Sequence, residues 1–215
     1  MQSSSSQLNI IRQSALDEIA RPTLDLTKQY LQVLPLQLHE GEPVVAAIKQ
    51  GADKVIVYFS IFKEEFFLAI CLDSKMDFAV YTTYIEPGSR VYLYIDNRDG
   101  ATEIPASFPE VENVKSGFLF DPLKNEIDTV ENKIEQLLSV LETHREAVKE
   151  LASQTYVCLN VAYYGYQSQM WGFHFDTHTL RRFCDLNIEV DLDLYAGGRE
   201  IEPFDYNHLK NEKER

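Results

Sequence analysis

Apolar positions recur at helical spacing through residues 8–50, between interrupting prolines. The stretch Leu8 to Ala20 carries one apolar stripe, and Pro22 to Leu34 carries a second, since a proline suits the first turn of a new helix. A third, short helix is predicted from Glu42 to Gln50, because Pro43 suits its first turn and Gly51 its C-terminal stop. The pattern therefore predicts a helical N-terminal segment.

The next segment contains runs rich in Val, Ile, Phe and Tyr, separated by short polar breaks. The break Glu86-Pro87-Gly88-Ser89 has the chemistry of a tight turn, because proline presets one torsion and glycine adopts positive φ freely. This pattern predicts a four-stranded antiparallel meander. Its predicted strands are Lys54 to Phe62, Phe66 to Leu72, Phe78 to Ile85 and Arg90 to Asp96.

The segment Leu123 to Leu151 has the strongest periodicity, with apolar residues in steps of four and three. Ile127, Ile134, Leu141 and Val148 occupy one heptad position and mostly leucine the other, which favours a two-stranded coiled coil. Additional apolar residues widen the stripe, which favours a helix buried against its own domain. We expect the second arrangement, with a homodimer through this helix as the alternative.

The last third is predicted to be strand, strand, helix, strand, a ββαβ unit. Its segments are Tyr156 to Tyr164, Gln169 to Phe175, Thr177 to Asp185, which would bury Leu180, Phe183 and Cys184, and Asn187 to Tyr195. The fold class is therefore α+β: N-terminal helices, the meander, a long amphipathic helix and the ββαβ unit. We expect one compact domain over residues 1–215, with 8–122 and 123–206 as sub-lobes if it divides.

The net charge of −14 changes the functional expectation. A negative field repels phosphate backbones and anionic lipid, so neither nucleic acid nor a membrane is an expected ligand, whereas a basic protein is. The alternative is that the charge only keeps the protein in solution.

The three cysteines, Cys71, Cys158 and Cys184, lie far apart in apolar-patterned segments, which predicts free thiols that pack as small apolar groups in a reducing cytoplasm. The polar start, Met1 to Ser6, does not have the apolar run of a signal peptide.

The string His174-Phe175-Asp176-Thr177-His178 is the most enzyme-like part of the sequence. On a strand, His174, Asp176 and His178 would share one face, as a metal-dependent hydrolase requires. Asp176-Thr177 also has the chemistry of a helix cap, and we expect capping. Phosphate-binding, nucleophile-elbow and paired-cysteine motifs are missing from the sequence, so we expect neither an enzyme nor a cofactor.

The strand Asn187 to Tyr195 alternates strictly between apolar and acidic residues. Ile188, Val190, Leu192 and Leu194 would face the core, and the opposite row would be solvated, would protect an edge, or would bind a basic partner. Nearby aromatic residues would act either as core or as interface anchors. The candidate partner-binding residues are Glu189, Asp191, Asp193, Tyr164, Tyr166 and Trp171.

The segments Tyr156 to Tyr164, Phe173 to Phe175, Leu180 to Leu186 and Ile188 to Tyr195 together resemble the end of a bacterial domain family of unknown function, family 4279. The resemblance is one of strand and helix patterning, and it implies no catalytic residues. Many members lie in toxin–immunity gene neighbourhoods, so it implies an immunity-type protein that neutralises a basic toxin. The other expectations are a self-associating adaptor and the metal-dependent hydrolase.

Overall fold

The computed structural model describes residues 5–166 and 172–197. These residues form five helices and eleven strands in an α+β arrangement, which confirms the predicted fold class. They fall into two compact units, one comprising residues 5–87, 165–166 and 196–197, and the other 88–164 and 172–195. Among the described helices, none has the length and apolar character needed to cross a bilayer.

The first unit contains an antiparallel sheet of four strands under two helices. Helices α1 and α2 contact strands of this sheet, and the buried hydroxyls of Thr27 and Thr83 join α2 to the sheet at 2.7 Å. The elements are α1 (Ser5–Ala20), α2 (Asp25–Val33), a two-stranded ribbon β1 (Leu38–His39) and β2 (Glu42–Pro43), and the sheet strands β3 (Val45–Gln50), β4 (Lys54–Ser60), β5 (Phe67–Asp73) and β6 (Ala79–Glu86), in the order β3-β4-β5-β6.

Two sequence expectations about this unit are corrected. The predicted helix Glu42 to Gln50 is strand instead, because its short apolar run pairs with β4, with Ile48 opposite Val57. The four-stranded sheet therefore begins at β3. The run Arg90 to Asp96 is a strand, but it belongs to the second unit, and the tight turn predicted before it does not form. β6 ends at Glu86 and the next strand begins at Gly88, so Pro87 alone links the two sheets.

Glu18 is a buried carboxylate that caps the N-terminus of α2. It accepts hydrogen bonds from the Thr23 backbone N–H at 2.9 Å, the Thr23 hydroxyl at 2.6 Å and the Leu24 N–H at 3.1 Å. Leu24 is the N-cap of α2 and has no capping side chain of its own. Burial raises the pKa of Glu18, but these donors outweigh it, and the pKa lies below the usual value for glutamic acid.

The second unit is a five-stranded sheet with three helices packed on one face. Val91, Leu93 and Ile95 alternate with polar residues and pack against those helices. The elements are β7 (Gly88–Asp96), β8 (Glu112–Val114), β9 (Gly117–Phe120), α3 (Val130–Thr143), α4 (Arg145–Gln154), β10 (Val157–Tyr166), α5 (Thr177–Leu186) and β11 (Glu189–Gly197), and the strand order is β11-β10-β7-β9-β8.

The predicted long helix is two helices, and its apolar seam lies inside the unit. Thr129 caps the N-terminus of α3 by accepting from the Asn132 N–H, so Leu123 to Asp128 precede the helix. The helix is interrupted at His144, between α3 and α4, and the His144 ring Nδ1 lies 2.8 Å from the Ser107 carbonyl oxygen. The seam residues are buried in the core, as expected for a helix packed on its own domain, and are not available to a second chain; they include Ile134, Leu137, Leu141, Val148 and Leu151.

The predicted ββαβ unit has only part of its expected form in the described residues. Of the second predicted strand, Gln169 to Phe175, residues 169–171 lie outside the described ranges and 172–175 have no regular structure. The helix and the last strand are confirmed as α5 and β11. Asp191 lies beside Cys158 and Tyr195 beside Tyr164, so β11 runs parallel to β10, and α5 is the crossover between them.

We predict that Leu137→Asp unfolds or aggregates the protein. Leu137 has no exposed surface, so the change buries a charge among apolar side chains and costs more than about 4 kcal/mol. Gln136→Asp introduces the same charge at the neighbouring exposed position and should change stability by less than about 0.5 kcal/mol. Circular dichroism and light scattering make the comparison, and a folded, monomeric Leu137→Asp variant would contradict the internal seam.

We predict that Glu18→Gln lowers the free energy of unfolding by about 1–2 kcal/mol at pH 7, because it weakens the charge-assisted, partly buried hydrogen bonds to the Thr23 and Leu24 N–H groups. The folded-state pKa of Glu18 is lowered, so its stabilisation is complete above the ordinary glutamic acid pKa and is lost as the pH falls towards the folded value. The deficit of the variant in urea unfolding should therefore shrink on acidification. Asp17→Asn, an exposed change one residue earlier, is the control, and an equal deficit at both positions would refute the capping role.

Candidate functional site

The candidate site lies on the face of the five-stranded sheet opposite the helices. Strand alternation places Val91 and Leu159 in the core and turns their neighbours to the other face. Register pairs Tyr92 with Asn160 and Tyr94 with Cys158 on this second face. We call it the tyrosine–carboxylate face; its members are Arg90, Tyr92, Tyr94, Tyr156, Cys158, Asn160, Tyr164, Glu189, Asp191, Asp193 and Tyr195.

Strand β11 contributes the exposed part of this face. Glu189, Asp191 and Asp193 alternate onto it and are all exposed. The alternation was predicted correctly, but the burial of the other row was not. Ile188 lies in the core at 7% exposure, whereas Val190, Leu192 and Leu194 are 36%, 40% and 57% exposed. The prediction that these three residues face the core is therefore wrong, because an edge strand has less of its surface covered than a central one.

Four of the six predicted partner-binding residues are brought to this face. The rings of Tyr164 and Tyr195 stack at 5.2 Å with an interplanar angle of 15°, which fixes Tyr195 beside the end of the acidic row. Tyr164 is half-buried, and Tyr195 is 49% exposed. Tyr166 ends β10, but its side chain is not among those described, and Trp171 lies outside the described residues.

The three carboxylates have no counter-charge of their own within the part of the chain that the structure describes. In residues 5–166 and 172–197, no ion pair joins Glu189, Asp191 or Asp193 to a lysine or arginine. Arg90 lies on the same face, but its guanidinium pairs with Asp121 and covers the ring of Tyr92 at 4.9 Å. The guanidinium of Arg90 therefore interacts with Asp121 and Tyr92, and it does not neutralise the carboxylates of β11.

Two tyrosine hydroxyls of the face, those of Tyr92 and Tyr156, lie in this negative field. Burial raises the pKa of Tyr92, Arg90 opposes the rise, and Asp193 adds to it. The pKa of Tyr156 is also raised, first by its hydrogen bond with Cys158 and then by burial and the β11 carboxylates. Both hydroxyls therefore stay protonated at neutral pH and act as neutral hydrogen-bonding groups.

Arg182 on α5 positions the strand that carries the acidic row. Its guanidinium is buried and donates to Glu142 at 2.7 and 2.9 Å, to Ser139 at 3.2 Å and to Glu135. The three acceptors lie on one stripe of α3, so the contacts fasten α5 to that helix. Asn187 then adopts a left-handed conformation (φ 58°) and ends α5, turning the chain into β11.

Two expectations about α5 are wrong. Leu180 is 47% exposed and Cys184 is exposed, although both were expected to be buried. Phe183 is buried as expected, and Arg182 and Leu186 are buried with it. The buried face of α5 is shifted because the ion pairs of Arg182 must meet α3. Cys71 and Cys158 are buried free thiols, as expected.

The histidine string has a structural role in the described residues. The Asp176 carboxylate accepts from the Thr179 N–H at 2.7 Å and is the N-cap of α5, which confirms the capping expectation. His174 and His178 are exposed. Within the described ranges, no three His, Cys, Asp or Glu side chains are grouped as a metal ion would require.

Sequence reasoning did not identify four residues that build the site: Arg90, Tyr92, Tyr195 and Arg182. The spacing of Glu135, Ser139 and Glu142 at i, i+4 and i+7 was a detectable signal for a buried cation on a facing helix. The other three become neighbours through the parallel pairing of β10 and β11 and the pairing of β10 with β7, which local patterning does not specify.

The comparisons with known proteins give one family match. A model described as a domain of unknown function, DUF4279, matches residues 53–197. The match begins just before β4 and reaches the end of β11, so it extends well beyond the resemblance in the C-terminal third. Among curated proteins and among solved structures, none matches.

We predict that Arg182→Ala destabilises the protein by about 2 kcal/mol, because α5 loses its ion pairs while Glu135 and Glu142 remain partly solvated. Arg182→Lys should recover part of the loss, since an ammonium keeps the charge but does not form the planar fork. The exposed neighbour Arg181 gives the control, Arg181→Ala. Chemical unfolding measures stability, and amide exchange in β11 reports whether the strand loosens. Equal effects of the two alanine variants would contradict the positioning role.

Proposed function

Since this chain belongs to the DUF4279 family, a domain of unknown function, we propose that it is a binding protein whose tyrosine–carboxylate face takes a basic protein partner. The observation that carries the proposal is the row Glu189, Asp191 and Asp193, exposed and without ion-pair partners in the described residues. A basic surface would supply the missing counter-charges.

The electrostatics of the row favour such a partner. Side chains two residues apart on a strand lie about 7 Å from each other, which gives a repulsion of about 0.6 kcal/mol per pair in water. Folding does not relieve this repulsion, and the net charge of −14 adds to it. Lysine or arginine placed between the carboxylates converts repulsion into attraction and accelerates encounter with the partner.

The aromatic residues beside the row supply contact area. Tyr195 is held by stacking on Tyr164, so binding would not have to order it. Tyrosine combines a large apolar surface with a hydroxyl, and interfaces are enriched in it. An arginine of the partner that pairs with Asp193 could also cover an exposed ring, as Arg90 covers Tyr92.

The more specific form of the proposal is an immunity-type protein of a reducing cytoplasm that neutralises a basic toxin. Its support is the charge of the face together with the gene neighbourhoods implied by the resemblance, and free thiols suit a reducing compartment. In this proposal the protein is not an enzyme. It acts by occupying a surface of the toxin.

We predict that the triple variant Glu189→Gln, Asp191→Asn, Asp193→Asn associates more slowly with the partner while keeping its fold. These side chains are exposed, so each change should alter stability by no more than about 0.5 kcal/mol. With a partner captured from the native cell, the association rate should fall about tenfold at low salt, and the deficit should shrink at high salt. Stopped-flow or surface-binding kinetics at two ionic strengths make the measurement.

The matched control is Glu65→Gln, Glu103→Gln, Glu110→Gln, which removes the same charge from exposed positions elsewhere. If both triple variants slow association equally, the effect belongs to the net charge and the face has no special role. If neither does, the carboxylate row is only a protected edge and the proposal fails.

A further inference from the structure

Within the described residues, strand β11 lies at one edge of the five-stranded sheet. In the described part of the chain it has one neighbour, β10, and of its nine residues eight are exposed and Gly197 is half-buried. The outer side of such a strand carries backbone N–H and C=O groups that a further strand can pair with. Long exposed edges of this kind are the usual sites of strand addition.

The backbone hydrogen bonds identify which residues face outwards. The Leu192 N–H donates to the Asp191 carboxylate at 2.9 Å, so it points away from β10. Successive residues alternate, so the backbone groups of Asp191 face β10, in keeping with the influence of the Asp191 backbone on the pKa of the Cys158 thiol. The backbone N–H and C=O groups of Val190 and Leu194 point to the same outer side as those of Leu192.

The two faces of β11 differ in chemistry. The carboxylates of Glu189, Asp191 and Asp193 lie on one face, and the exposed side chains of Val190, Leu192 and Leu194 lie on the other. A strand added beside β11 has the same two-residue period. Its side chains would meet carboxylates on one face and apolar groups on the other.

We propose that the outer edge of β11 binds an extended segment of the partner as an added strand, and that this segment alternates basic and apolar residues. The inference rests on the proposed function, because it assumes a basic partner, and it adds the mode of binding. Cross-strand pairing of lysine or arginine with the carboxylate row draws the Asp191 side chain away from the Leu192 N–H and frees that donor for the new ladder.

A second copy of this chain meets like charges at the edge in the antiparallel register centred on Asp191. Antiparallel pairing of two β11 strands around Asp191 would set Glu189 of each copy opposite Asp193 of the other, with Asp191 facing its own equivalent. Like charges directly opposite each other are destabilising. The charge that disfavours this self-pairing is therefore complementary to a basic strand.

The first experiment uses peptides as long as β11, nine residues. One alternates Lys and Val, and a second has the same composition in a non-alternating order. Two further versions of the alternating peptide carry backbone N-methyl groups, one on every Val and the other on every Lys. In an added strand only one of these sets points at β11, so one methylated peptide should bind at least about tenfold more weakly and the other within about threefold.

The second experiment uses the protein edge. Leu194→Pro removes an outward N–H, which edge strands tolerate, and Leu194→Ala removes the side chain while keeping the N–H. We expect the proline variant to bind the alternating peptide about tenfold more weakly than the alanine variant. Amide exchange should show new protection at Val190 and Leu194 in the peptide complex, whereas Asp191 and Asp193 should change little, because their groups already face β10.

Equal binding of both methylated peptides, or of the alternating and non-alternating peptides, overturns strand addition. If that equal binding is still lost in the triple neutral variant, the acidic face binds basic partners and only the mode is wrong. Failure of every peptide to bind the wild-type protein also overturns the inference. A proline variant that does not fold leaves the methylated pair and the amide exchange to decide.

Discussion

The packing of α3, α4 and α5 on one face of the five-stranded sheet determines which side chains of the second unit are buried and which are exposed to solvent. Residues such as Leu159 and Leu137 have no exposed surface, and the helices concentrate on the central strands β7 and β10. The edge strand β11 receives little of this cover, and only Ile188 at its approach enters the core. A strand that would be amphipathic at the centre of a sheet is thus exposed on both faces, and its apolar row becomes a surface feature.

Arg182 links this packing to the site. A guanidinium keeps its charge at all ordinary pH values, so its burial requires carboxylates, and Glu135 and Glu142 on α3 supply them. The pKa of Glu142 is lowered, with the Arg182 hydrogen bond as the largest cause. Directional contacts of this kind fix the rotation of α5 more closely than apolar packing does, and the turn at Asn187 transmits that rotation to β11.

Local sequence patterning predicted the positions of most helices and strands, but it predicted few of the contacts between them. Strand alternation and capping chemistry located β11 and α5, with Asp176 as the cap, because both signals depend on residues close in sequence. The segment Val45–Gln50 was misassigned since a short apolar run suits helix or strand, and pairing with β4 decides between them. In the site, the acidic row was predictable from its period. The stacking of Tyr195 on Tyr164 and the exposure of Leu194 depend on which strands become neighbours, and sequence spacing does not contain that information.

The acidic row on β11 follows from the exposure of its apolar row. An edge strand that shows Val190, Leu192 and Leu194 to solvent can pair with any strand of similar pattern, including its own copy. Carboxylates on the opposite face remove most of those pairings by like-charge repulsion, and the Asp191 carboxylate also occupies the outward Leu192 N–H. Repulsion of this kind is selective, because it discriminates against acidic and self-complementary strands and favours basic ones. Protection of the edge and choice of partner are then two effects of the same charges, and a substitution that neutralises the row changes both.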